Sequence, residues 1–220
     1  SLGADIVVQG TTFTSSQAFG EASSLHEVAE QIGQAAGVQV MPVAGNLADP
    51  SEVARIVAEI RERFGRIDIL VNCAGGDVGA QGTAAPQGGK PEGNDALNIS
   101  LADLKAVLDR NLMTCLLVCR EVAPEMQTRG EGWIVNIGSI AGMFGNPASA
   151  IYSVAKAGVH EYTRCLAAQL RPYNVHVNAI APGDTVTRRF SASREIDEAM
   201  LVSDGTLVRY GLPIEIARAV

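Results

Sequence analysis

The sequence predicts an α/β protein built on a doubly wound parallel sheet. Three observations carry that prediction. Short runs rich in β-branched residues alternate with amphipathic segments along the chain. Residues 67–73 form a continuous apolar run, the pattern of a strand inside a parallel sheet, and residues 133–137 read as another buried strand. The residues able to do chemistry fall just after such runs, where ligands of these sheets bind.

Taken in order, residues 3–9 open as a short strand, and residues 11–24 are polar and irregular. Leu25, Val28, Ala29 and Ile32 recur at helical spacing, and Gly37 closes that helix. Residues 38–43 form the next strand. Asp49-Pro50-Ser51-Glu52 is a helix start, with an N-cap acid, a first-turn proline and a glutamate completing a capping box. Val53, Ile56, Val57, Ile60 and Phe64 line the buried face of that helix, and Gly65 ends it. Ser100 caps a long, deeply buried helix through Asn111 towards Val122. The strand to Ile137, a helix carrying Tyr152 and a strand at residues 175–180 follow, and Pro182-Gly183 then breaks the chain.

A length of 220 residues fits one domain with a single core, and there are no repeats. A net charge of −7 without a basic run excludes nucleic acid and anionic membrane as partners. No apolar stretch is long enough to span a bilayer, and no secretory signal is visible, so a cytoplasmic enzyme is expected. Cys73, Cys115, Cys119 and Cys165 form no Cys-x-x-Cys pair and sit in apolar surroundings, as reduced core cysteines do. No metal site is expected.

The chemistry centres on residues 139–156. Tyr152 and Lys156 are four apart, which places both on one helix face. A free tyrosine titrates near ~10, and a lysine ammonium beside it favours the phenolate and lowers that value. Ser139, at the end of the preceding strand, can hold a substrate oxygen while the phenol moves the proton.

A serine followed thirteen residues later by Tyr-x-x-x-Lys resembles the short-chain dehydrogenase/reductase family. Other segments resemble the same family in order. Asn46-Leu47 matches its adenine-cradling pair, with asparagine replacing the usual acid. Val71-Asn72-Cys73-Ala74-Gly75 looks like its Asn-Asn-Ala-Gly turn, with cysteine at the second asparagine. Asn111 matches its fourth catalytic residue. Residues 178–183, ending in Pro182-Gly183, resemble the segment beside the nicotinamide, and Thr187 matches a cofactor-contacting threonine.

The resemblance implies a Rossmann-like, three-layer αβα fold and an NAD(P)-dependent oxidoreductase that interconverts a secondary alcohol and a ketone. It implies Asn111, Ser139, Tyr152 and Lys156 as catalytic residues. It implies Asn46, Leu47, Asn72, Ala74, Gly75, Tyr152, Lys156, Pro182, Gly183 and Thr187 as cofactor contacts. The alternative is a relative that binds a dinucleotide or partner without turnover, and four filled catalytic positions count against it.

Departures from the pattern matter too. The family's first strand and its glycine-rich phosphate turn have no counterpart here, because Gly3-Ala4-Asp5 aligns with the second strand. The chain also stops at Val220, before the family's final strand. The expectation is a single domain over residues 1–220 of a longer enzyme that has both ends. Gly10 stands where NAD-preferring members carry a ribose-binding acid, which points to NADP. Residues 76–98 read as a lid or binding loop, and residues 184–204, with Arg188, Arg189 and Phe190, as the variable substrate loop. Its arginines read chiefly as a solvated face, with an acidic substrate or a cofactor phosphate as the other possibility. His26, His160 and His176 read as structural, and Trp133 as packed near a strand start. The helices at 100–122 and 151–171 are apolar on more than one face, which predicts a homodimer or homotetramer through them.

Overall fold

A computed structural model of the chain describes residues 3–201 and 208–220. The end of the expected substrate loop, residues 202–204, lies outside the described residues. The chain divides into two compact units, Ser1–Ile67 and Asp68–Val220.

In the first unit β1 (Ile6–Gly10) leads through a short 3₁₀ turn to α1 (Leu25–Ala36), β2 (Val40–Ala44) and α2 (Pro50–Phe64). β1 and β2 pair in parallel, with Ile6 opposite Val40 and Gly10 opposite Ala44. The caps follow local chemistry. Ser24 accepts a hydrogen bond from the Glu27 amide at the start of α1, and Gly37 ends that helix in a left-handed conformation. Asp49 caps α2 through the Ser51 amide. The expected capping box does not close, because Glu52 turns to Arg55 at 2.7 Å instead. Val53, Ile56 and Val57 are buried, whereas Ile60 and Phe64 are only partly covered.

The second unit holds a three-stranded parallel sheet in the order β3 (Ile69–Asn72), β4 (Gly132–Ile137), β5 (Val175–Ile180). Val71 lies opposite Val135, and Val135 opposite Asn178. Between β3 and β4 the chain forms α3 (Leu101–Leu108), a π-helical segment at Asp109–Met113 and α4 (Thr114–Arg129); α5 (Ala150–Leu170) joins β4 to β5. α6 (Arg188–Ser193) and α7 (Pro213–Ala219) complete the unit. Parallel strands joined by crossover helices in both units give the Rossmann-like α/β class predicted from the sequence.

Some expectations are corrected. β3 is shorter than the apolar run, and Ile69 (55% exposed) and Val71 (40%), which share one face of the strand, are open. The helix expected to stop at Val122 continues to Arg129 and is broken by the π-helical segment. Cys73 and Cys165 are exposed, and only Cys115 and Cys119 are buried. Trp133 is not packed away but half open, stacked on His176 across the β4–β5 pair. Among the described residues no helix is long and apolar enough to cross a membrane.

Candidate active site

In the second unit four sequence-predicted residues converge around the loop that follows β3. Asn111 lies within the π-helical segment and is buried. Its Oδ1 accepts from the Gly76 amide (2.8 Å), while Nδ2 donates to the Gly76 carbonyl (2.8 Å) and the Val107 carbonyl (2.9 Å). An α-helix with one wider turn bulges there, and such bulges are frequent at functional sites. The bulge carries the Asn111 amide against the loop.

Gly75 shows how tightly the loop is held. A Cβ at that position would come within 2.8 Å of Asn111 Oδ1 and 3.2 Å of Lys156 Nζ. Only a bare backbone fits between those two groups. Lys156 is itself buried, and its Nζ donates to the Ile137 carbonyl at 2.8 Å, at the end of β4. Burial pushes the ammonium down to about 8.

Tyr152 sits one turn before Lys156 on α5, with Lys156 Nζ 5.7 Å from its ring centroid. The sequence reading had the lysine lowering the phenol. In the structure the net direction is upward, because burial outweighs the hydrogen bond with Ser139, Asp77 adds to the rise, and Arg189 and Arg194 oppose it. Ser139 begins the short turn after β4, where its hydroxyl also accepts from the Ala141 amide at 3.1 Å.

Two partners were missed by sequence reasoning. The Ser139 amide donates to Nε2 of His160 at 3.3 Å, and His160 packs so closely on Gly138 that a Cβ there would overlap the imidazole. Its position four residues after Lys156 was the available signal, since both lie on one face of α5. Burial first, and then the charges of Arg164 and Lys156, hold His160 below its ordinary value, so the ring is neutral and Nε2 can accept. Asp77 is the second. Its Oδ2 accepts from Asn94 (2.7 Å) and from Ser149 (2.9 Å), the residue just before α5.

Among the expected cofactor contacts, Ala74 and Gly75 are exposed at the end of β3. The Asn72 side chain is turned inward, where Nδ2 donates to Asn136 Oδ1 at 2.8 Å. Asn136 in turn donates to Thr163 at 2.9 Å, so a polar network crosses the sheet core. Pro182 accepts from the Ile140 amide at 3.1 Å, which ties the loop after β5 to the loop after β4. Thr187 caps α6 by accepting from the Phe190 amide at 3.1 Å. In the first unit Asn46 is exposed after β2, and its Oδ1 accepts from the Ala48 amide at 3.1 Å. Leu47 follows it, half-buried.

The family model described as short chain dehydrogenase matches residues 10–198. The chain belongs to that family. It is 35% identical over 181 residues to a 3-oxoacyl-[acyl-carrier-protein] reductase of Synechocystis, covering 82% of this chain and 66% of that protein. It is 32% identical over 202 residues to a reductase of the same name from Staphylococcus aureus, covering 91% and 76%. A solved 7α-hydroxysteroid dehydrogenase, complexed with NADH and a 7-oxo bile acid, superposes with a TM-score of 0.79 at 25% identity, covering 99% of this chain and 76% of that one. This family member thus spans just under two thirds of the cyanobacterial relative's length.

Proposed function

We propose that this family member interconverts a secondary alcohol and a ketone, with Tyr152 as general acid/base and an NAD(P) cofactor. The observation that carries the reading is the convergence of Lys156, Asn111 and the bare Gly75 backbone, with Tyr152 one turn before Lys156 on the same helix. The cofactor would lie along the exposed Ala74–Gly75 backbone, with Pro182, Gly183 and Thr187 beside it. Lys156 and Tyr152 supply polar groups for its ribose. Asn46 and Leu47 are the residues proposed for adenine. When bound, the nicotinamide supplies or accepts the hydride.

The chain's own residues handle the proton. Burial keeps the Tyr152 phenol protonated, the form that can donate to a ketone oxygen. The Ser139 hydroxyl holds that oxygen, and the His160 bond fixes the Ser139 backbone. Asn111 holds the loop at Gly76 against the Lys156 end of the site. In the alcohol direction the same phenol, as phenolate, takes the proton back.

The finer parts of the reading are proposals of the same kind. NADP is favoured because β1 ends at Gly10 without a carboxylate, and the hydroxyls of Thr12, Thr14 and Ser15 cluster just beyond it. Residues 1–220 are proposed to act as one catalytic domain of a cytoplasmic enzyme. A homodimer or homotetramer is proposed through the helices at 100–122 and 151–171. A groove of about 420 Å³ between α4 and α5, lined by Met113, Leu116, Leu117, Tyr162 and Leu166, supports that assembly.

The deciding experiment is Tyr152→Phe. Turnover should fall by roughly 10²–10⁴-fold, while cofactor binding by calorimetry stays nearly intact. Near-native rates in this variant would refute the assignment. Cofactor binding with no turnover by the unsubstituted protein on any ketone would favour the non-catalytic reading.

A further inference from the structure

One cation beside the proposed site holds no proton of the reaction and only biases the Tyr152 phenol through its field. Arg189, the second residue of α6, lays its guanidinium against Gly76. A Cβ on that glycine would lie 2.9 Å from Nη1 and 3.0 Å from Cζ. Adjacent residues therefore face two different cations, Gly75 facing Lys156 and Gly76 facing Arg189. Arg189 Nη2 donates to the Asp77 carbonyl at 2.9 Å, and its Nε is buried with no partner among the described residues.

The surrounding charges leave a positive surplus. Asp77 is the nearest acid and attracts Arg189, but its Oδ2 accepts from Asn94 and Ser149, its Oδ1 is buried without a partner, and it forms no ion pair with Arg189 among the described residues, so one such charge faces both Arg189 and Arg110. Arg110 and Arg194 are within electrostatic reach as well. Arg194 is matched by Asp184 at 3.0 Å, and Arg110 also keeps a buried, unpartnered Nε. A half-buried guanidinium with an unused donor is costly unless an anion completes it. The guanidinium fork matches a carboxylate, which can take two parallel N–H bonds. Tyr152 lies within the field of both Arg189 and Arg194.

We propose that Arg189 is a specificity residue that binds a carboxylate on the substrate, so the preferred substrates are oxo acids or hydroxy acids rather than neutral ketones. This rests on the reading of Tyr152 as acid/base, and its test separates the two. With the full chain, kcat/KM is measured for acetoacetate and for methyl acetoacetate. The acid should be preferred, and Arg189→Met should lower the acid-over-ester preference about 10–100-fold. Arg189→Lys, which keeps the charge, should retain part of it. Equal use of acid and ester by the unsubstituted protein would overturn the inference. So would an unchanged preference in Arg189→Met, which would make the arginine a clasp for the loop at Gly76 and Asp77. If neither ketone is reduced, the oxidoreductase reading fails separately, and malonate binding by calorimetry then decides. Weakening of at least about tenfold in Arg189→Met upholds the anion site, and equal affinity overturns it.

Discussion

Replacing Lys156 by methionine should stabilise the fold while removing its proposed activity. The side chain is only 4% exposed, and burial has moved its ammonium from 10.5 to about 8. A gap of that size corresponds to about 3 kcal/mol, at ~1.4 kcal/mol per pH unit, for keeping the lysine charged in the folded state at neutral pH. Methionine avoids that cost and fills similar volume. It forfeits the 2.8 Å bond to the Ile137 carbonyl, and an unmet buried acceptor costs ~1–3 kcal/mol. The net expectation at about pH 7 is a gain of ~1 kcal/mol. The sign with pH follows from linkage. The folded value lies below the unfolded one, so between them the unfolded chain binds more protons and stability rises with pH. The lysine protein should therefore recover most of the ~3 kcal/mol between about pH 8 and pH 10, and the methionine variant should not. Urea unfolding of both proteins at about pH 7 and pH 10 measures this. A methionine variant clearly less stable at neutral pH, or a stability difference that does not change with pH, would refute the argument.

Three further outcomes are expected. His160→Leu should slow turnover about tenfold by leaving the Ser139 amide without its acceptor, and His160→Gln, which restores an acceptor, should recover much of the rate. Because burial holds His160 below 6.5, its neutral form belongs to the folded state, so the stability it contributes should be lost as pH falls below 6.5. Unfolding curves of His160→Gln should lack that acid branch, and an identical acid branch would count against the assignment. Light scattering at micromolar concentration should show an oligomer that Leu117→Arg dissociates, and a monomeric unsubstituted protein would end the assembly proposal.

Much of the fold was legible because local signals and tertiary structure agree. Asp49 and Ser100 cap helices where the sequence placed them, and Ser24 does so at the end of a stretch read only as irregular. Gly37 and Gly65 end helices with positive φ, which glycine tolerates at little cost. The exposure of Ile69 and Val71 was not legible, because strand burial depends on neighbours that a local run does not name. The π-helical segment at Asp109–Met113 was equally hidden in an apolar helix, although the family resemblance marked Asn111 within it. For the site, the Tyr152–Lys156 spacing was a local fact, and its placement on one helix followed. The direction of the Tyr152 shift was not local. It depends on burial and on Asp77, Arg189 and Arg194, which come from distant parts of the chain. The Asn72–Asn136–Thr163 network likewise joins two strands and a helix that no sequence window contains.

The contact between Gly138 and His160 also constrains how this site can change over generations. The imidazole occupies the space a methyl group would need at the strand end, so the two positions share one volume. Any side chain at position 138 is tolerable only after position 160 has become smaller. A smaller residue at 160, arriving first, leaves a gap and an unmet amide at Ser139. Each order of substitution therefore passes through a damaged intermediate, and the pair should persist or be exchanged together.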